Sequence, residues 1–159
     1  MLRHGILAIL PLVALSACAK TDESACAGAG IVASDAWVRA ANEGQPMSAA
    51  YVELCNGGDN TERLVAVKFN GAEAVELHQT SMSDAGMASM APTDNGVELE
   101  PHTVTALAPG GIHIMLIGVT EALEEGEEAA FTLEFENAPP QTLLFEVRSR
   151  TDVSEHAGH

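Results

Sequence analysis

Basic residues are scarce in this chain. It has 7 Lys and Arg against 23 Asp and Glu, which gives a formal net charge of −16 at neutral pH. Nucleic acids and anionic membrane surfaces are bound through clusters of positively charged side chains. The composition therefore argues against a nucleic-acid partner and against direct binding to anionic lipid headgroups.

Long apolar runs are missing as well. The run Ile6–Leu15 follows a basic start at Arg3 and is shorter than the roughly 20 residues that a membrane-spanning helix needs. It is closed by the tetrapeptide LSAC at 15–18, a layout typical of a secretory signal. LSAC resembles a bacterial lipobox, which implies a signal peptide over 1–17 and a lipid anchor on Cys18. We therefore predict a membrane-anchored lipoprotein of the periplasm; cleavage near Ala17 to give a soluble product is the alternative.

Cysteine is also rare, with three residues in all. If Cys18 carries the lipid, Cys26 and Cys55 remain as a pair in an oxidising compartment, where a disulfide is the usual outcome. As free thiols they would instead be candidate soft metal ligands. The sequence leaves both states open, because it does not show whether the two Cα atoms lie close enough to be bridged.

The residues after the predicted signal suffice for one domain with a core of its own. They number 142 and carry a formal charge of −17, since residues 1–17 contain one Arg and no acid. Small and polar residues over 18–29 predict a tether. We place the domain at 30–150 and a flexible tail at 151–159, where chain ends are commonly poorly ordered.

No long amphipathic helical pattern occurs, and short segments rich in Val, Ile, Leu, Phe and Thr alternate with turn-forming residues. This pattern is typical of an all-β sandwich or barrel. Residues 120–128 could form a helical turn, but Gly126 favours an ordinary turn. The predicted strands are Ile31–Arg39, Ser48–Leu54, Leu64–Phe69, Ala74–His78, Val97–Leu99, Thr103–Leu107, His113–Gly118, Ala129–Phe135 and Leu143–Val147.

The methionines have an unusual distribution. Met82, Met87 and Met90 lie in the polar stretch HQTSMSDAGMASMAP, where a thioether would bury little apolar surface. Methionine sulfur is a soft ligand that selects Cu(I) over hard cations, and imidazole also suits copper. The polar setting of these methionines therefore indicates a metal rather than a core.

Two histidines bracket most of this interval. His78 ends the apolar segment AVELH, and in GIHIMLI His113 and Met115 lie two residues apart, on one face of an extended chain. Each alone has an ordinary interpretation: an edge histidine, a hydrogen-bonded core histidine and a core methionine. Taken with Met90, they form a set of two imidazoles and two thioethers without a carboxylate, which predicts a Cu(I) site.

These segments resemble the PCuAC family of periplasmic copper chaperones. The resemblance covers about residues 31–148 and rests on DAWVRA, SAAYVEL, VELH, GMASMAP and LAPGGIHIMLIGV. The spacing is His, eleven residues, Met, twenty-two residues, then His-x-Met. The resemblance implies a cupredoxin-like Greek-key β-barrel or sandwich that binds Cu(I) through His78, Met90, His113 and Met115, and delivery of copper to the CuA centre of a cytochrome oxidase.

Several alternatives stay open at this point. Small residues surround Met90 where the family often has basic ones, so docking to a partner could differ, and Met82 or Met87 could replace Met90. The acceptor could be a CuA-bearing oxidase subunit or another copper carrier. The protein could also sequester copper for tolerance, or be an assembly lipoprotein without a metal. His102, His156 and His159 are candidates for a weak Cu(II) site.

Other protein classes fit the sequence less well. A blue-copper electron carrier needs a cysteine thiolate beside two histidines, and Cys55 lies far from His113 in the chain. No nucleophile elbow, zinc-protease motif or paired catalytic carboxylate is visible. We therefore expect a non-enzymatic copper carrier in which Met90, on a loop, leaves the metal first while His113 and Met115 hold it from their strand.

Overall fold

The computed structural model describes residues 26, 28, 30–82 and 86–149. The predicted signal peptide, Cys18, most of the tether and the tail with His156 and His159 lie outside the described residues. Within the described part no helix is long and apolar enough to cross a membrane.

The described residues form ten β-strands and no α-helix. All nine predicted strands are present, within a few residues of their predicted ends, and residues 120–127 form turns and bends around an isolated bridge residue. The tenth strand, β5, was not predicted. The strands are β1 Ile31–Arg39, β2 Met47–Asn56, β3 Glu62–Lys68, β4 Ala72–Met82, β5 Ala88–Pro92, β6 Val97–Leu99, β7 Thr103–Leu107, β8 Ile112–Val119, β9 Glu128–Phe135 and β10 Gln141–Arg148.

The strands join in the order β5-β4-β8-β2-β1-β10-β9-β3-β6, and β7 pairs with the second half of β2. β1 and β10 are parallel, and the other pairs are antiparallel. Strands distant in the chain are thus neighbours in the sheet, as in Greek-key folds. The β5–β4 hairpin forms one edge.

Alternation along the strands separates a core face from an outer face. On β8, Ile114 and Leu116 are fully buried in the core, where Phe131 stacks on Phe69 and contacts Phe145 with ring centroids 4.5 and 4.4 Å apart. Since successive side chains of a strand point to opposite faces, His113 and Met115 lie on the other face. The hydrophobic core therefore fixes which side of the sheet carries the candidate ligands.

A disulfide joins Cys26 to Cys55, with Cα atoms 5.4 Å apart. This separation lies within the range that a disulfide spans. The first of the two states left open by the sequence is the one found, so neither sulfur is available as a thiolate ligand.

Candidate metal centre

Strand register brings the two predicted histidine ligands together. In the β4–β8 pair, His78 lies directly opposite His113, and their ring centroids are 6.1 Å apart. Both residues are buried, with 9% and 7% of their surface exposed. Metal–nitrogen bonds to imidazole are about 2 Å long, so both rings at this separation can reach one ion between them.

The turn before β8 orients His113. Gly110 adopts a φ of +81° in the sequence Pro109-Gly110-Gly111, which suits a turn with proline at its second position and glycine at its third. The Nδ1 of His113 lies 3.1 Å from the carbonyl oxygen of Gly111. A carbonyl only accepts hydrogen bonds, so Nδ1 donates and the neutral ring keeps its lone pair on Nε2.

Glu76 orients His78 in the opposite sense. The Nε2 of His78 lies 2.8 Å from the carboxylate Oε2 of Glu76. Because an ionised carboxylate only accepts, Nε2 carries the proton and Nδ1 keeps the lone pair. That Nδ1 is buried and has no hydrogen-bond partner among the described residues. A buried acceptor without a partner is costly, and a metal ion would satisfy it.

The two methionines lie on the same face as the histidines. Met115 is opposite Glu76, and Met90 is opposite Thr80. Paired residues of an antiparallel sheet point to one side, and residues 76, 78 and 80 of β4 share a face. Met90 and Met115 are therefore both diagonal neighbours of His78, a spacing that long side chains bridge.

Met90 differs from its predicted setting. It lies within strand β5, not on a loop, and 59% of its surface is exposed, whereas Met115 is partly buried. Ala, Ser and Met around position 90 have little β-propensity, so composition gave no strand signal there. Backbone pairing with β4 holds the strand at the sheet edge.

Two aromatic residues, Tyr51 and Trp37, lie beside the site on the side of β2. The Tyr51 ring lies 6.4 Å from that of His113 and 4.3 Å from that of Trp37, centroid to centroid. Burial raises the pKa of Tyr51 and outweighs the opposing charge of Arg39, whose guanidinium donates a hydrogen bond of 3.2 Å to the phenol oxygen. Tyr51 therefore stays a neutral phenol at physiological pH and adds no charge to the site.

The other candidate ligands lie farther from the two buried histidines or outside the face that carries them. His102 is bonded to Asp59 at 3.0 Å in an exposed turn, and Met87 precedes β5. Met82 ends β4 on the same face as Met90. Sequence analysis missed two residues of this face, namely Glu76 and Tyr51. The signal for Glu76 was present, since residues 76 and 78 share a strand face.

No three His, Cys, Asp or Glu side chains in the described part of the chain converge as a metal-binding group. The thioethers of Met90 and Met115, on the same face of the sheet, are further donor groups available to a metal bound between His78 and His113. Two neutral imidazoles and two neutral thioethers form a donor set that favours a soft, monovalent ion.

The chain is similar to proteins that are described as lipoproteins. The profile of the LpqE-like family, described as "Putative lipoprotein LpqE-like", matches residues 31–147. "Putative lipoprotein Lxx21020" of Leifsonia xyli subsp. xyli is 32% identical over 127 residues, which are 80% of this chain and 75% of that protein.

Solved structures with the same architecture include domains with and without copper. The copper-bound PCuAC domain from PmoF2 matches with a TM-score of 0.62 and 28% identity, over 75% of this chain and 92% of that domain. The apo PCuAC domain from PmoF1 gives 0.62 and 26%, over 75% and 93%. The solution structure of Cu(I)-DR1885 from Deinococcus radiodurans gives 0.61 and 26%, over 82% and 85%. The predicted all-β, cupredoxin-like fold is confirmed.

Proposed function

Because the chain belongs to the LpqE-like family and has the fold of PCuAC domains, as its motifs predict, we propose that it is a periplasmic carrier of Cu(I). The ion is held by His78, Met90, His113 and Met115. The observation that carries this proposal is the pair of buried imidazoles whose ring centroids lie 6.1 Å apart. The Nδ1 of His78 has no hydrogen-bond partner within the part of the chain that the structure describes.

The proposed ligands suit reversible binding of a monovalent ion. The ligating nitrogens are Nδ1 of His78 and Nε2 of His113, the atoms that the hydrogen bonds leave unprotonated. Thioethers retain Cu(I) without stabilising Cu(II). The nearby carboxylate of Glu76 offsets the charge of the ion through the His78 ring, as outer-sphere carboxylates do in other metal sites.

Release begins at Met90. It is the exposed member of the set and lies on the edge strand, whereas Met115 lies on β8, between β4 and β2. An incoming ligand from an acceptor protein can therefore replace the Met90 sulfur while the other three ligands stay bound. This arrangement favours exchange over permanent storage, which is why we propose a carrier and not a sequestering protein.

The proposed acceptor is a CuA-bearing oxidase subunit or another copper carrier. The proposed location is the periplasmic membrane surface, with a lipid on Cys18. Support comes from the LSAC motif and from the lipoprotein descriptions of the family and of the relative in Leifsonia xyli. An anchored carrier meets membrane-bound acceptors by diffusion in two dimensions.

Competition for Cu(I) with a chromogenic chelator tests the site. We expect His113→Ala to weaken the affinity at least a hundredfold, and Met90→Leu and Met115→Leu to weaken it about tenfold each, equivalent to about 1.4 kcal/mol. Met115→Leu should also speed the escape of copper more than Met90→Leu does, because Met115 is the retained ligand.

Met87→Leu is the matched control, since Met87 is also exposed, at 70% against 59% for Met90, and lies three residues away. Its affinity should equal that of the wild type. Wild-type affinity in both Met90→Leu and Met115→Leu would exclude the proposed site. Loss of affinity in Met87→Leu with none in Met90→Leu would assign the ligand to Met87 instead.

A further inference from the structure

Met82 lies on the same side of the β4–β5 hairpin as Met90. It is paired with Ala88, so it is the diagonal neighbour of Met90, just as Met90 is the diagonal neighbour of His78. Potential copper ligands therefore follow one another along this face, from the end of the hairpin to the buried histidines.

The exposed fraction of these side chains falls along this line. Met82 is 66% exposed and Met90 59%, whereas His78 is 9% and His113 7% exposed. Two large apolar side chains at an open sheet edge gain little from burial. On the opposite face of the hairpin, Ser81 and Ser89 are hydrogen-bonded to each other, with their hydroxyl oxygens 2.9 Å apart.

Small residues leave room between the two sulfurs. Ala88 faces Met82 and Thr80 faces Met90 across the hairpin, and neither of these two partners is bulky. Flexible, unbranched methionine side chains can then turn toward a common point. Two thioethers form a soft but incomplete ligand set, which suits brief binding of Cu(I).

We infer that Met82 and Met90 form a second, transient Cu(I) site through which the ion enters and leaves the buried centre. This inference rests on the proposed function. An arriving ion binds the Met82 and Met90 sulfurs; the bond to Met82 then breaks as bonds to the two imidazoles form. Copper stays monovalent and every ligand is neutral, so no electron or proton is transferred.

A kinetic experiment separates an entry site from a final ligand. The full chain would be mixed with Cu(I) bound to a weak chromogenic chelator, and the rate of copper uptake followed by stopped flow. In Met82→Leu we expect uptake to slow about tenfold, the effect of a barrier raised by about 1.4 kcal/mol. The equilibrium affinity should change less than about twofold. Release must then slow by the same factor, since the affinity is the ratio of the two rates.

Met47→Leu is the matched control. Met47 is 51% exposed on the same outer face, but it neighbours the partly buried Met115 and not Met90. We expect Met47→Leu to take up copper at the wild-type rate. Wild-type uptake by Met82→Leu, or equal slowing in Met47→Leu, would overturn the inference.

Two further outcomes of this experiment would have different meanings. A loss of equilibrium affinity in Met82→Leu as large as in Met90→Leu would make Met82 a permanent ligand, which also overturns an entry site. Failure of the wild type to take copper from the chelator would contradict the proposed function itself.

Discussion

In the proposed copper site, Glu76 acts through His78. Its carboxylate accepts the Nε2 proton at 2.8 Å and so favours the tautomer in which Nδ1 keeps its lone pair. Comparable outer-sphere partners of metal-bound histidines change affinity about 10- to 100-fold when removed. In the proposed site, Glu76 is therefore a positioning residue and not one of the four ligands.

We predict that Glu76→Ala weakens Cu(I) affinity about tenfold and leaves the His78 ring as a mixture of tautomers. Glu76→Gln should preserve most of the affinity, because its amide oxygen still accepts from Nε2. The tautomer is measured directly from ¹⁵N–¹H couplings of the imidazole in the apo protein. Glu73→Gln, an exposed acid on the opposite face of the same strand, is the control.

An unchanged Nε2-protonated ring in Glu76→Ala would refute this role, whatever the affinity. It would mean that the fold fixes the tautomer without Glu76.

Much of the proposed site could be predicted from residue types and their spacing. His113 and Met115 were assigned to one strand face from the two-residue period, and the structure places them so. The hydrogen bonds that select Nδ1 of His78 were beyond the sequence, because they depend on side-chain rotamers. The approach of Tyr51 to His113 was equally hidden, since these residues lie on strands far apart in the chain.

At the scale of elements, a buried carboxylate joins the start of β3 to the turn after β9. Glu62 is 8% exposed, and its two oxygens accept from the backbone N–H groups of Arg63, Asn137 and Ala138 and from the Asn137 amide, at 2.8 to 3.3 Å. Burial raises the pKa of Glu62, but these donors outweigh it, so the net shift lowers the pKa.

Ionised Glu62 stabilises the folded state, and this stabilisation is lost in acid. A carboxyl group whose pKa is lower in the folded state binds protons more readily when unfolded. Its stabilising effect is therefore complete above its unfolded pKa of 4.5 and is lost as the pH falls through the lower folded value. Acid should release this contact between β3 and the β9–β10 turn.

We predict that Glu62→Gln lowers the free energy of unfolding at pH 7 by about 2 kcal/mol, because a charged acceptor of buried donors is lost. The gap between variant and wild type should shrink as the pH falls below about 4. Denaturant titrations at several pH values measure both quantities, with the exposed Glu128→Gln as control. A gap that stays constant down to pH 3 would contradict the assignment.

Strand prediction succeeded where apolar and β-branched residues alternate and failed where they do not. β1, β6 and β7 were predicted with their observed bounds. β5 was missed because all five of its residues are exposed and none is β-branched or aromatic. It exists through pairing with β4, a tertiary effect that no local pattern shows. This strand carries Met90, so its absence from the prediction also placed this candidate ligand wrongly on a loop.

At the scale of the whole molecule, the proposed copper site lies outside the hydrophobic core. The core is filled by residues such as Val38, Leu64 and Phe131, and the ligands occupy the outer face near the β5 edge. An ion bound at the proposed site would therefore leave the packing of the core undisturbed. The solved relatives, which include both apo and copper-bound PCuAC domains, have the same architecture.

The organisation of the whole chain was only partly accessible from sequence. The all-β class followed from strand spacing and turn residues, and the family resemblance implied a cupredoxin-like Greek-key fold. The order of the strands became known only from the structure. The signal over 1–17, the tether over 18–29 and the tail over 151–159 stay predictions. The acceptor protein also stays a prediction, because the residues that would recognise it have no signature of their own in the sequence.

The central claim is that two imidazoles and two thioethers bind one Cu(I) ion on the outer face of this sheet. X-ray absorption at the copper edge, on the full chain loaded with one equivalent of Cu(I), tests it most directly. Cys18→Ser should be used, because Cys18 is the one cysteine outside the disulfide. We predict two nitrogen and two sulfur neighbours, falling to one sulfur in Met115→Leu. A shell of nitrogen and oxygen alone, or two sulfurs that persist in Met115→Leu, would contradict the claim.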